Sequence, residues 1–205
     1  MRPPFSKRES VLLEMPVFAA TIFRGGPHTL GLLMTSSGCG ALVGALWLAQ
    51  RKSVVGLGRV IVMATAMFGA GLIGFSFSRV LWLAVPCLAI AGFGFIVQMA
   101  SSNTIIQTIV DDEKRGRVMS FYMMAFLGTA PFGSLAAGWM SSRIGAPHTL
   151  LVGGICCLLG ALWFAAELPA LRLVVRPIYV RLGILPEVAA GLSTAAELSV
   201  PPERQ

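Results

Sequence analysis

Long uncharged runs separated by short charged clusters set the rhythm of this chain. A helix rises about 1.5 Å per residue, so about 20 apolar residues cross a hydrocarbon core roughly 30 Å thick. Five runs have that reach: Thr29–Ala49, ended by Gln50, Arg51 and Lys52; Val60–Phe77, ended by Ser78 and Arg79; Val80–Val110; Met119–Met140; and Thr149–Ala166, which Glu167 and Pro169 are expected to stop. The third exceeds one crossing, so its last turns should project beyond the hydrocarbon. The hydrophilic break "DDEKRGR", Asp111 to Arg117, reads as a loop before the fourth. Because the apolar residues run continuously and do not alternate, β-barrel strands are disfavoured.

A shorter run, Val11–Phe23, gives only about 20 Å of helix and contains Glu14 and Pro16. A charge held at the bilayer centre costs about 2.5–3.5 kcal/mol on insertion scales, so this segment reads as a partial helix. No small-residue cleavage site follows it, which argues against a cleaved signal peptide. The pattern predicts an all-α polytopic membrane protein with five transmembrane helices plus a short N-terminal partial helix. Its expected divisions are an N-terminal segment over 1–28, a helical bundle over 29–168 and a tail over 169–205.

Composition agrees: 56% of residues are hydrophobic, 12% are charged and the mean hydropathy is +0.79, whereas soluble domains carry about 25% charged residues. The net charge of +7 would admit a nucleic acid, but long uncharged runs divide the charges and no basic stripe interleaves with aromatics. The bilayer is the better partner, and no nucleic acid is expected. Consecutive spans place Arg51, Lys52, Arg59, Lys114, Arg115, Arg117, Arg172, Arg176, Arg181 and Arg204 on one side, against Arg24, Arg79 and Arg143 on the other. The positive-inside rule makes the first side cytoplasmic, and the tail with it. For Val11–Phe23, charge favours a crossing and length opposes it, so the side of the N-terminus stays open. In the tail, Arg172, Arg176 and Arg181 interleave with apolar residues, a composition suited to an anionic membrane face, while Pro177 and Pro186 argue against one long helix.

Two phrases recur. "GGPHTL" and "GAPHTL" each precede an apolar run that closes on "GALWLA" or "GALWFA". Both would sit outside the membrane, Gly and Pro making a turn and Thr29 or Thr149 capping the helix that follows, with Trp47 and Trp163 near the opposite surface. His28 and His148 then read as interfacial structure. Small residues at helix-contact spacing, Gly40 with Gly44, Ala66 with Ala70 and Gly74, and Gly133 with Ala137, predict close helix packing. Cys39, Cys87, Cys156 and Cys157 lie in apolar runs and read as buried thiols; no metal and no cofactor is indicated.

Polar residues inside spans mark pathways when they lack a structural role. Gln98 is deep enough to face an interior; Asn103, nearer the end of its span, and Glu14 complete the substrate-pathway candidates. Thr35, Ser36 and Ser37 are expected to bond back to their own helix. Pro86 and Pro131 are expected to break or bend theirs. Asp111, Asp112, Arg115 and Arg117 offer separable charges for a cytoplasmic gate.

The segments "GGPHTLGLLMTSSGCGALVGALWLAQRK" and "ASSNTIIQTIVDDEKRGRVMSFYMMAFLGTAPFGSLAAGWMSSRIGA", in that order, resemble the C-terminal half of a major facilitator superfamily transporter, in its enterobactin-exporter-like branch. The resemblance covers about Val11 to Ala166. It implies that the five spans are helices eight to twelve, that Val11–Phe23 is a remnant of helix seven, and that "RGRVMS" is similar to the cytoplasmic loop before helix eleven. Gly44, Arg51, Gly58 and Arg59 loosely follow the family's motif between helices eight and nine, without its acidic position. The resemblance also implies efflux of a siderophore-like or other small amphipathic molecule across a bacterial plasma (inner) membrane. Its transporters rock two halves about a central site, so the partners implied are a small-molecule substrate and a missing N-terminal half or a second copy. The alternative is a non-transporting membrane subunit or a truncated, inactive gene product. An enzyme is not expected, since no His or Cys cluster, no Ser with a base and no intramembrane Asp pair occurs in the sequence.

Overall fold

The structure, a computed structural model, describes residues 27–51, 54 and 56–181. They form five helices: α1 Pro27–Ala49, α2 Leu57–Phe77, α3 Leu81–Ile109, α4 Asp112–Ile144 and α5 Ala146–Arg181. All five are long and apolar enough to cross a membrane, and no strand occurs among the described residues. The protein is an all-α polytopic membrane protein. The expected N-terminal partial helix, with Glu14, and the tail beyond Arg181 lie outside the described residues. Two compact units divide between Ala165 and Ala166.

The first unit is organised around α3, whose apolar stretch is one-third buried, the largest share of the five. The cause is glycine. A Cβ on Gly40 of α1 would collide with the Ala89 carbonyl of α3, and one on Gly92 of α3 with the Ser37 carbonyl of α1. On the other side of α3, a Cβ on Gly71 would lie 2.8 Å from the Ala91 nitrogen, and one on Gly94 would lie 2.5 Å from the Ala64 carbonyl oxygen. Both neighbours therefore approach α3 at backbone distance, and the dispersion gained there is what holds helices together in lipid. Gly69 of α2 and Gly154 of α5 face each other in the same way, each Cβ position 2.8 Å from the other's carbonyl oxygen. Leu33, Phe75, Ala84, Leu88 and Ala146 form one buried cluster, and Leu57, Val60, Ala64 and Val97 a second.

Polar groups reinforce these crossings. The Ser36 hydroxyl donates to the Val85 carbonyl of α3, so it does not bond back to its own helix as expected. The Ser76 hydroxyl donates across 2.7 Å to the Pro147 carbonyl at the start of α5. Ser78, buried in the turn between α2 and α3, donates to the Val80 carbonyl at 3.0 Å. The small-residue expectation holds for Gly40, Gly44 and Gly74, all tightly apposed, but a Cβ on Gly133 would meet open space and Ala70 is exposed.

The helix ends depart from the sequence reading in three places. Asp112 to Arg117 are not a loop but the first turns of α4, because Asp112 and Glu113 favour a helix N-terminus and Arg115 pairs with Asp112 one turn back at 2.6 Å. The "PHTL" phrases are helix beginnings: Pro147 and His148 sit in the first turn of α5, behind Gly145 with φ +84°. Proline suits that turn because its missing N–H would have no partner there. Thr149 accordingly caps no N–H; its hydroxyl donates to the Gly145 carbonyl at 3.0 Å. Pro86 and Pro131 do not interrupt α3 and α4, and α5 passes Glu167, Pro169 and Pro177 to reach Arg181.

Candidate functional site

The polar candidates in the bundle share α3 but not a face. Successive helix residues turn by about 100°, so Gln98 and Asn103, five apart, point about 140° away from each other. Gln98 falls on the stripe of Ala91 and Gly94, which meets α2, and is half-buried. Asn103 falls with Gly92 and Ile96, on the α1 side; its Oδ1 is buried with no hydrogen-bond partner in the protein. The two therefore do not converge on one pocket. Glu14, the third candidate, lies outside the described residues.

Ser101 belongs to the last turns of the third run, which its length places beyond the hydrocarbon. It is fully buried, and its hydroxyl has no partner. It lies one turn beyond Val97 on the packed face of α3, so the i, i+4 spacing from Val97 was the signal that could have found it. An unpartnered hydroxyl and an unpartnered amide oxygen within one turn are polar atoms that a ligand or water could satisfy. By contrast, Thr65, Thr104, Thr108, Ser120 and Thr129 all donate to the carbonyl one turn back.

Asp111, Asp112, Arg115 and Arg117 are all exposed at the junction of α3 and α4. Of these, Arg115 and Asp112 form an ion pair, the only one among the described residues. Exposed pairs contribute little stability, which leaves these charges able to exchange partners at small cost. The His148 ring Nδ1 lies 2.9 Å from the Ile144 carbonyl oxygen, which ties it to the turn. No group of three metal-ligating side chains occurs among the described residues. The cysteines are free but not buried as expected: Cys39 and Cys156 are exposed on outward helix faces, and Cys87 and Cys157 are half-buried. In a bilayer an outward thiol is solvated by lipid, so an apolar run does not require burial within protein.

The remaining feature is α4. None of its 33 residues is buried, and Phe121, Met124, Phe132, Leu135 and Trp139 all project outward. It is nevertheless the least apolar of the five spans. A helix facing lipid on every side should be the most apolar, so this combination marks a surface suited to something other than hydrocarbon.

No curated protein and no solved structure matches the chain. A family model described as transmembrane secretion effector matches residues 5–174. With five membrane-crossing helices matched over most of its length, the chain belongs to the transmembrane secretion effector family, a family of major facilitator-type membrane transporters.

Proposed function

We propose that the chain is the C-terminal half of a secondary transporter that exports a siderophore-like or other small amphipathic molecule across a bacterial inner membrane, with its C-terminus in the cytoplasm. The observation that carries the reading is α4: a span with no buried residue, less apolar than its four neighbours, has the character of a face that closes against another half and lines a path between them. Alternating access requires such a face, because the site lies between two bundles that rock about it. Gln98 supplies a hydrogen-bonding group at depth, and the exposed charges from Asp111 to Arg117 supply contacts that form in one state and separate in the other.

Proteoliposomes with an imposed proton gradient test this. The 205-residue chain alone should give no saturable flux of a catecholate iron chelator or an amphipathic dye, and co-reconstitution with a matching N-terminal half should produce flux that Gln98→Ala reduces. Saturable flux from the chain alone would show a self-sufficient transporter, assembled from copies of itself. No flux from either preparation would favour a non-transporting membrane subunit or an inactive product. In the two-half preparation, Arg117→Ala should lower flux severalfold with insertion unchanged. Unaltered flux would reduce the Asp111–Arg117 charges to a topological signal.

A further inference from the structure

Where α1 ends beside α3 there is a groove of about 380 Å³. Its walls are Ala45, Leu48 and Ala49 of α1, Leu57 of α2, and Ala100 and Thr104 of α3, and Arg51 stands among its lining residues. The side chains along this edge are small: Gly44 lies against Ile96, Phe93 and Val97 of α3 one turn earlier, and Ala45, Ala49 and Ala100 leave the groove open.

Two observations bear on what occupies it. The first is charge. No acidic residue occurs between Glu14 and Asp111, and the single ion pair among the described residues does not involve Arg51 or Arg59. The Arg51 guanidinium instead lies 5.4 Å from the Trp47 ring centroid, a contact that leaves its positive charge uncompensated. The second is depth. Trp47 and Arg51 are a pair typical of the boundary between headgroups and acyl chains, so the groove opens where phosphate sits above and hydrocarbon below.

From these we infer that the groove between the end of α1 and α3 is a binding site for an anionic phospholipid, its phosphate against Arg51 and an acyl chain along Ala45, Leu48, Ala49 and Ala100. An apolar trough with a cation at its mouth matches an acidic lipid in both parts. A zwitterionic lipid brings its own cation, which Arg51 would repel. The site does not depend on which leaflet the end of α1 occupies, nor on what the protein transports.

The test is to reconstitute the full chain in nanodiscs of phosphatidylcholine with a minor fraction of phosphatidylglycerol and to count retained lipids by native mass spectrometry. Phosphatidylglycerol should be retained preferentially, and Arg51→Gln should reduce its retention about fivefold, the scale expected for one basic residue at a membrane surface. Ala100→Leu, which fills the trough and leaves every charge in place, should reduce it similarly. Arg59→Gln, exposed and outside the groove, should have a smaller effect than Arg51→Gln. Equal losses from Arg51→Gln and Arg59→Gln would reduce the effect to diffuse surface charge and overturn the site. So would undiminished retention in both Arg51→Gln and Ala100→Leu.

Discussion

Gly40→Leu is expected to separate α1 from α3 and to lower the melting temperature of the detergent-solubilised chain by roughly 5–10 °C, or to abolish its monodisperse state. A Cβ at this position would overlap the Ala89 carbonyl and lie 2.8 Å from the Ala89 Cα. Overpacking against side chains costs about 1–3 kcal/mol because rotamers can move aside, and in a chain of this size each kcal/mol shifts the midpoint by about 2–4 °C. Backbone has no rotamer to change. Here the whole helix must retreat, and with it would go the Gly92 contact on Ser37 and the Ser36 hydrogen bond to Val85. Gly31→Leu and Gly153→Leu enlarge residues of the same type on α1 and α5 where a Cβ meets nothing within 4 Å. These two variants should melt within a few degrees of the parent. If Gly40→Leu melts with them, α1 does not cross α3 at this point.

The second large effect is topological. In a variant with Cys39, Cys87, Cys156 and Cys157 replaced, Arg79→Cys and Arg143→Cys should react with a membrane-impermeant maleimide in intact cells. Lys114→Cys should react only after permeabilisation. All three positions are exposed, at the turn between α2 and α3, the last turn of α4 and the first turn of α4, so accessibility within the protein does not limit the reaction. The contrast should be nearly all-or-none, because the bilayer is the only barrier. It rests on ten basic residues assigned to one side and three to the other. Labelling of Lys114→Cys in intact cells, with Arg79→Cys protected, would invert the orientation and place the tail outside.

The five spans were legible because the bilayer imposes a minimum length and continuous hydrophobicity, both written directly in the residues. Their ends were less so. A charged cluster between apolar runs suggests a loop, yet Asp112 and Glu113 suit the beginning of a helix, and α4 starts seven residues before the apolar run at Met119. Contacts were legible in kind but only partly in place. Small-residue spacing pointed to Gly40, Gly44 and Gly74, but missed Gly69, Gly71, Gly92, Gly94 and Gly154, and it also pointed to Gly133, which touches nothing. Periodicity reveals which residues share a face; it does not reveal which face meets a neighbour. The same limit applied to the candidate site, where depth identified Gln98 and only three-dimensional packing distinguished Ser101 from the exposed Gln107 farther along α3.

The central place of α3 also fixes a timetable. Both α1 and α2 reach backbone distance with a helix that the ribosome makes after them, at about 5–20 residues per second. For several seconds α1 must remain in the membrane, or beside the insertion machinery, with the Ser36 hydroxyl and the bare Gly40 surface unmatched. Because α2 and α3 are joined by the short Ser78–Val80 turn, they can close as a hairpin as soon as α3 is inserted. α1 would then dock last, although it is synthesised first of the three. A translational slowdown before Ile109 would prolong the interval in which an insertion chaperone, or a second nascent chain, could take the place of α3.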